Sequence, residues 1–188
     1  MLIIINIAFK LNKIMKVLIS GPPASGKSTL ISKIVDFLKK NDIKVGGVIT
    51  PEIRENGIRI GFKVVDLMTF KECVFASINY RSSYKVGKYF VDIVLFESIA
   101  INALENAEKE SEIIVIDEVG KMELFSKRFE EMVKRIFIGH KPVLAVIHRN
   151  YLEEYRKYGK VYWLEREKWN EIYNSILSEI QKIFQFHR

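Results

Sequence analysis

The chain has few of the residues that staple or cage a small fold. It carries one cysteine, three histidines and four prolines in 188 residues. A single thiol, Cys73, permits no internal disulfide and fits a reducing, cytoplasmic setting. Within Glu72–Ala76 it reads as a small residue of a strand rather than a nucleophile. No apolar run is long enough to span a bilayer. Met1–Phe9 is apolar but too short, and it lacks the basic flank of a signal peptide. A basic arm is also missing. The net charge is +7, yet Lys and Arg are interleaved with acids, as in Glu153–Lys157 and Glu165–Lys168. Nucleic acid is therefore not a favoured partner, and a membrane is excluded. No Asn/Thr-Lys-x-Asp segment follows a strand to read guanine. There is no repeat, no low-complexity tract and no long linker. A monomer is expected.

What is present is a phosphate-binding signature. Gly21-Pro22-Pro23-Ala24-Ser25-Gly26-Lys27-Ser28-Thr29 fits G-x-x-x-x-G-K-[ST]. Met15–Ser20 precedes it as a short apolar strand. Leu30, Ile31, Ile34, Val35 and Leu38 follow at helical spacing. A strand, a glycine-bearing loop and a helix N-terminus form an anion site, because backbone N–H groups and the helix dipole converge there. Lys27 is placed to reach the β- and γ-phosphates, and the Ser28 hydroxyl to coordinate Mg²⁺.

A second element completes the signature. Ile113-Ile114-Val115-Ile116 reads as a buried parallel strand ending in Asp117-Glu118. Strand ends of open α/β sheets are where ligands bind. Asp117 suits Mg²⁺, directly or through water, and Glu118 suits the positioning of an attacking water. Gly120 permits a sharp turn after this strand, and Glu123 favours the first turn of the next helix. Charge-stabilising candidates are Arg54, Arg59, Lys121 and Arg149, with His148 ending a further strand at Pro142–Ile147.

The expected fold is α/β: a mostly parallel sheet flanked by helices, with an antiparallel meander after the first helix. Lys44–Ile53, Ile58–Leu67 and Glu72–Ile78 read as the meander, turning at Asn56-Gly57. Tyr80–Tyr89 reads as a loop. Helices are expected over Ile93–Ala107, Leu124–Phe137 and Trp169–Phe184, with a short one over Tyr151–Tyr158 and a last strand at Val161–Leu164. Residues 15–188 read as one P-loop domain, and residues 1–14 as an extension without assigned function.

These blocks together resemble the thermophilic nucleoside-triphosphatase family. The resemblance rests on Gly21–Thr29, Thr50–Gly57, Arg59–Phe62, Val86–Tyr89, Asp117–Leu124 and Ile147–Arg149. It implies a P-loop fold with an extra strand between the P-loop strand and the acidic strand. It implies Mg²⁺-dependent hydrolysis of several NTPs, phosphate binding by Gly21–Ser28, and a nucleotide site that includes Ile113, Ile114, Val115, Ile116, Asp117, Glu118, Val119 and Gly120. The family's loop usually has glycine where this chain has Ala24. A methyl there is tolerated at negative φ and strained at positive φ. Two other readings fit a P-loop of this size: a nucleoside or nucleotide kinase, and a nucleic-acid-linked ATPase.

Overall fold

The structure, a computed structural model, describes residues 14–184. The expectation of an extension at residues 1–14 lies, but for Ile14, outside them. Strand β1 (Lys16–Ser20) leads into helix α1 (Lys27–Lys40) through the glycine-bearing loop. The remaining sheet strands are β2 (Val45–Ile49), β3 (Glu52–Glu55), β4 (Ile58–Asp66), β5 (Glu72–Ser77), β6 (Lys85–Val86), β7 (Tyr89–Val91), β8 (Ile113–Val119), β9 (Val143–Ile147) and β10 (Lys160–Trp163). Helices α2 (Ile93–Glu110), α3 (Lys127–Ile138), α4 (Leu152–Tyr155) and α5 (Trp169–Phe184) complete the fold.

The strands form one sheet in the order β10-β1-β9-β8-β2-β4-β5-β7-β6, with β3 paired to β4. From β10 to β2 every pairing is parallel. From β2 onward every pairing is antiparallel. β9 therefore lies between the loop-bearing β1 and the acidic β8, which is the extra-strand arrangement expected from the sequence.

Alternation along β1 explains the layering. Val17 and Ile19 point to one face, where Leu30, Ile31, Ile34 and Leu38 of α1 meet Ile172, Ile176 and Ile180 of α5. Leu18 points to the other, where Phe96, Ala100 and Leu104 of α2 pack with Phe129 and Val133 of α3. Ile113–Ile116 are all buried because helices cover both faces. Met15 is buried in the α1/α5 layer, and its carbonyl accepts from the Val143 N–H at 2.9 Å.

Four sequence expectations change. Lys44–Ile53 is two strands, not one. β2 belongs to the parallel core, and only β3 joins the meander. The break falls at Thr50-Pro51, where proline has no N–H to give to a ladder. Gly47 (φ 112) brings β2 so close to β8 that a methyl on it would overlap Val115. The supposed loop at Tyr80–Tyr89 contains β6 and the start of β7, joined through Gly87 at φ 57. The helix expected from Leu124 begins at Lys127, because the Ser126 hydroxyl caps it by accepting from the Phe129 N–H. Glu123–Phe125 is instead a separate 3₁₀ turn.

Candidate nucleotide site

The loop from Gly21 to Ser28 joins the C-terminal end of β1 to the N-terminus of α1. Gly26 caps the helix at φ 93, in the left-handed region, and no side chain caps the first turn. That leaves the first-turn N–H groups free to bind an anion. A methyl on Gly21 (φ 152) would overlap the Leu164 carbonyl oxygen, so the close approach of these two segments requires glycine. Ala24 sits at φ 58, so the strained alternative raised by the sequence is the one adopted. The Ser25 hydroxyl is buried with no partner among the described residues. Lys27 folds back, its Nζ donating to the Gly21 carbonyl at 3.1 Å and to the Pro22 carbonyl at 2.8 Å. Burial lowers its pKa, opposed by the charges of Glu118 and Asp117 and reinforced by that of Arg149.

β8 delivers the acids. Asp117 is buried. Burial, with the neighbouring Glu118 charge, pushes Asp117 up to about 7, while the Ser28 hydroxyl and the Lys27 charge favour its ionised form. Burial also raises Glu118, while the charges of His148 and Lys27 favour its ionised form. Thr50, just after β2, ties this strand end down. Its hydroxyl donates to the Asp117 carbonyl at 2.8 Å and accepts from the Glu118 N–H at 3.2 Å.

Glu123 does stand in the first turn of the following 3₁₀ helix, but it is also buried, which the sequence did not indicate. The backbone N–H groups of Glu123 and Gly120 favour its ionised form. A methyl on Gly120 would lie 2.7 Å from Glu118 Oε1 and 3.0 Å from Glu123 Oε2, so a side chain there would push the two carboxylates out of this corner. Burial first, then the Glu118 charge, raises Glu123 to about 8. Its spacing from Asp117 was visible in the sequence, but nothing local marked it as buried.

The four cation candidates separate. Arg54 and Arg59 both pair with Glu52, at 2.6 and 2.5 Å, on the β3–β4 hairpin. Arg59 also donates to the Tyr89 hydroxyl at 2.9 Å. Arg149 follows β9, and its charge acts on Lys27. Lys121 is exposed in the turn after β8. His148 is held by its own backbone, with Nδ1 near the Asn150 N–H at 3.3 Å.

The oxygen donors Ser28 and Asp117 suit Mg²⁺, which binds through one or two protein oxygens plus phosphate oxygens. Among the described residues no cluster of three or more His, Cys, Asp or Glu forms an all-protein metal cage.

A glycine-bearing loop on β1, acids at the end of β8 and β9 between them define a P-loop NTPase of the α/β class. The chain belongs to the NTPase family, whose pattern it matches over residues 16–177. It is 40% identical over 166 residues to the nucleoside-triphosphatase THEP1 of Methanocaldococcus jannaschii, covering 88% of this chain and 97% of that protein. It is 40% identical over 177 residues to THEP1 of Thermotoga sp. strain RQ2, covering 93% and 98%. Its fold is similar to the crystal structure of THEP1 from Aquifex aeolicus, with a TM-score of 0.79, 34% identity and coverage of 93% and 100%. It is also similar to the solution structure of a human cancer-related nucleoside triphosphatase, with a TM-score of 0.76, 31% identity and coverage of 89% and 98%.

Proposed function

We propose that the chain hydrolyses nucleoside triphosphates to nucleoside diphosphate and phosphate, with Mg²⁺ and with little base selectivity. The observation that carries this reading is a phosphate loop at the end of β1, with an uncapped helix N-terminus and Lys27 folded onto it, on the same sheet edge as the buried Asp117 and its neighbour Glu118 at the end of β8. The loop amides and the N-terminus of α1 bind the phosphates. Lys27 exchanges the carbonyls of Gly21 and Pro22 for β- and γ-phosphate oxygens. Ser28 and Asp117 hold Mg²⁺, which when bound neutralises charge on the phosphate oxygens. Glu118 orients the attacking water and takes its proton, and Gly120 and Thr50 fix the turn that aims it. Arg149 is the favoured cation for charge developing on the transferring group, because Arg54 and Arg59 are engaged by Glu52.

The weak base selectivity follows from a sequence without a guanine-reading segment. Residues 15–188 act as one domain, as a monomer in a reducing cytosol, a setting supported by the lone Cys73. No helix among the described residues is long and apolar enough to cross a membrane.

The test is phosphate release from ATP, GTP, CTP and UTP, with Mg²⁺ and with a chelator. Release from all four without an added acceptor, abolished by chelation, is expected. Strict dependence on a nucleoside or nucleotide acceptor would make the protein a kinase instead.

A further inference from the structure

A loop whose N–H groups converge on an anion turns its carbonyls outward, and those carbonyls need partners. Three partners of this loop and the strand end before it come from one segment, Leu164–Trp169, which joins β10 to α5. The Leu164 N–H donates to the Ser20 carbonyl at 2.7 Å. Arg166 Nε donates to the Ala24 carbonyl at 2.9 Å. Trp169 Nε1 donates to the Gly26 carbonyl at 3.3 Å.

These contacts fall where the loop most needs support. Ala24 and Gly26 are two of its three positive-φ residues, at φ 58 and 93, the third being Gly21. A left-handed alanine persists only where its surroundings over-determine it. Packing does not do so here. A cavity of about 310 Å³ remains between Pro22–Ser25 and Glu165–Glu167, and Arg166 is the side chain that bridges it. Trp169 is itself fixed. It stacks on Tyr173 with centroids 5.3 Å apart, and the Lys33 ammonium lies 4.9 Å from its ring centroid.

We propose that Arg166 and Trp169 are positioning residues that preset the phosphate loop from outside. They act through the carbonyls of Ala24 and Gly26, not on the nucleotide. The inference rests on reading Gly21–Ser28 as the triphosphate site. Presetting the loop lowers the ordering cost of binding, so its loss weakens nucleotide binding and leaves the hydrolytic step alone.

The bonding atom of Arg166 makes the test selective. Nε occupies the same place along the side chain as Nε2 of glutamine, so Arg166→Gln keeps a neutral donor for Ala24 and removes the charge. Nucleotide affinity, KM and kcat would be measured for Arg166→Ala, Arg166→Gln and Trp169→Phe. Losing one such bond raises KM by about five- to tenfold in Arg166→Ala, with kcat within about twofold. Arg166→Gln stays within about threefold of the parent. Trp169→Phe, which keeps the stacking and loses the donor, shows a smaller KM rise.

An unchanged KM in Arg166→Ala overturns the proposal. So does Arg166→Gln behaving like Arg166→Ala, which would make Arg166 a charge acting on phosphate. A fall in kcat at constant KM overturns it as well. A parent protein that neither binds nor hydrolyses NTPs would instead overturn the functional reading, and this inference with it. A parent that turns over while Arg166→Ala is silent overturns only the presetting role.

Discussion

Replacing Glu123 with Gln should make the nucleotide-free protein more stable at neutral pH. Glu123 is buried, and its pKa stands at about 8 against an ordinary 4.5, chiefly through burial and next through the Glu118 charge. The folded state therefore holds this proton more tightly than the unfolded chain does. The stability this contributes is fully present below pH 4.5 and is lost as pH rises toward 8. At about 1.4 kcal/mol per pH unit, the loss by pH 7 is at most about 3 kcal/mol. Local rearrangement that lets water reach the ionised carboxylate offsets part of this cost, so about 2 kcal/mol is expected. Gln keeps the size and shape of the side chain and never ionises. The gap between variant and parent should thus open between pH 5 and pH 8. Lys16 titrates above this window. Burial lowers it to about 8, and it adds stability only as pH rises from there toward 10.5. Urea unfolding at pH 5, 6, 7 and 8, without Mg²⁺, measures the gap. Parallel pH profiles for parent and variant would refute the assignment of Glu123 as a buried, proton-holding acid.

Three further outcomes follow from the same geometry. Ala24→Gly should leave turnover within about twofold, because relief of the left-handed strain and the added freedom of the unfolded chain nearly cancel; a large loss would mean that the methyl itself is needed. Arg149→Ala should lower kcat by about a hundredfold or more, whereas Arg54→Ala should leave it unchanged; the reverse pattern would move the stabilising charge to the β3–β4 hairpin. Gly47→Ala should destabilise the fold by more than about 2 kcal/mol in urea, since it combines a φ of 112 with overlap on β8; a stability within error of the parent would show that β2 and β8 can separate at no cost.

The phosphate loop and the Asp117-Glu118 strand end were legible in the sequence because each is local. Residue types at fixed offsets, flanked by a strand and a helix, define them. The alternation of apolar runs likewise predicted β1, β8, β9 and the helices between them. What was hidden depends on residues far apart in the chain. β2 reads as meander from its neighbours, and only its partner β8 makes it a core strand. Glu123 looks like a helix-start acid until the Gly120 turn folds it beneath Glu118. The short strands β6 and β7 have no periodicity to detect at their length. Arg166 and Trp169 lie more than 140 positions from the carbonyls they meet, so no spacing rule could join them to the loop.

The most direct measurement is phosphate release by Glu118→Gln alongside its nucleotide affinity. The variant should bind a fluorescent NTP analogue with Mg²⁺ within about threefold of the parent, because Lys27, Ser28 and Asp117 are untouched. Its phosphate release should fall by about a hundred- to ten-thousandfold. Turnover at the parent's rate would remove Glu118 from the reaction and contradict the account.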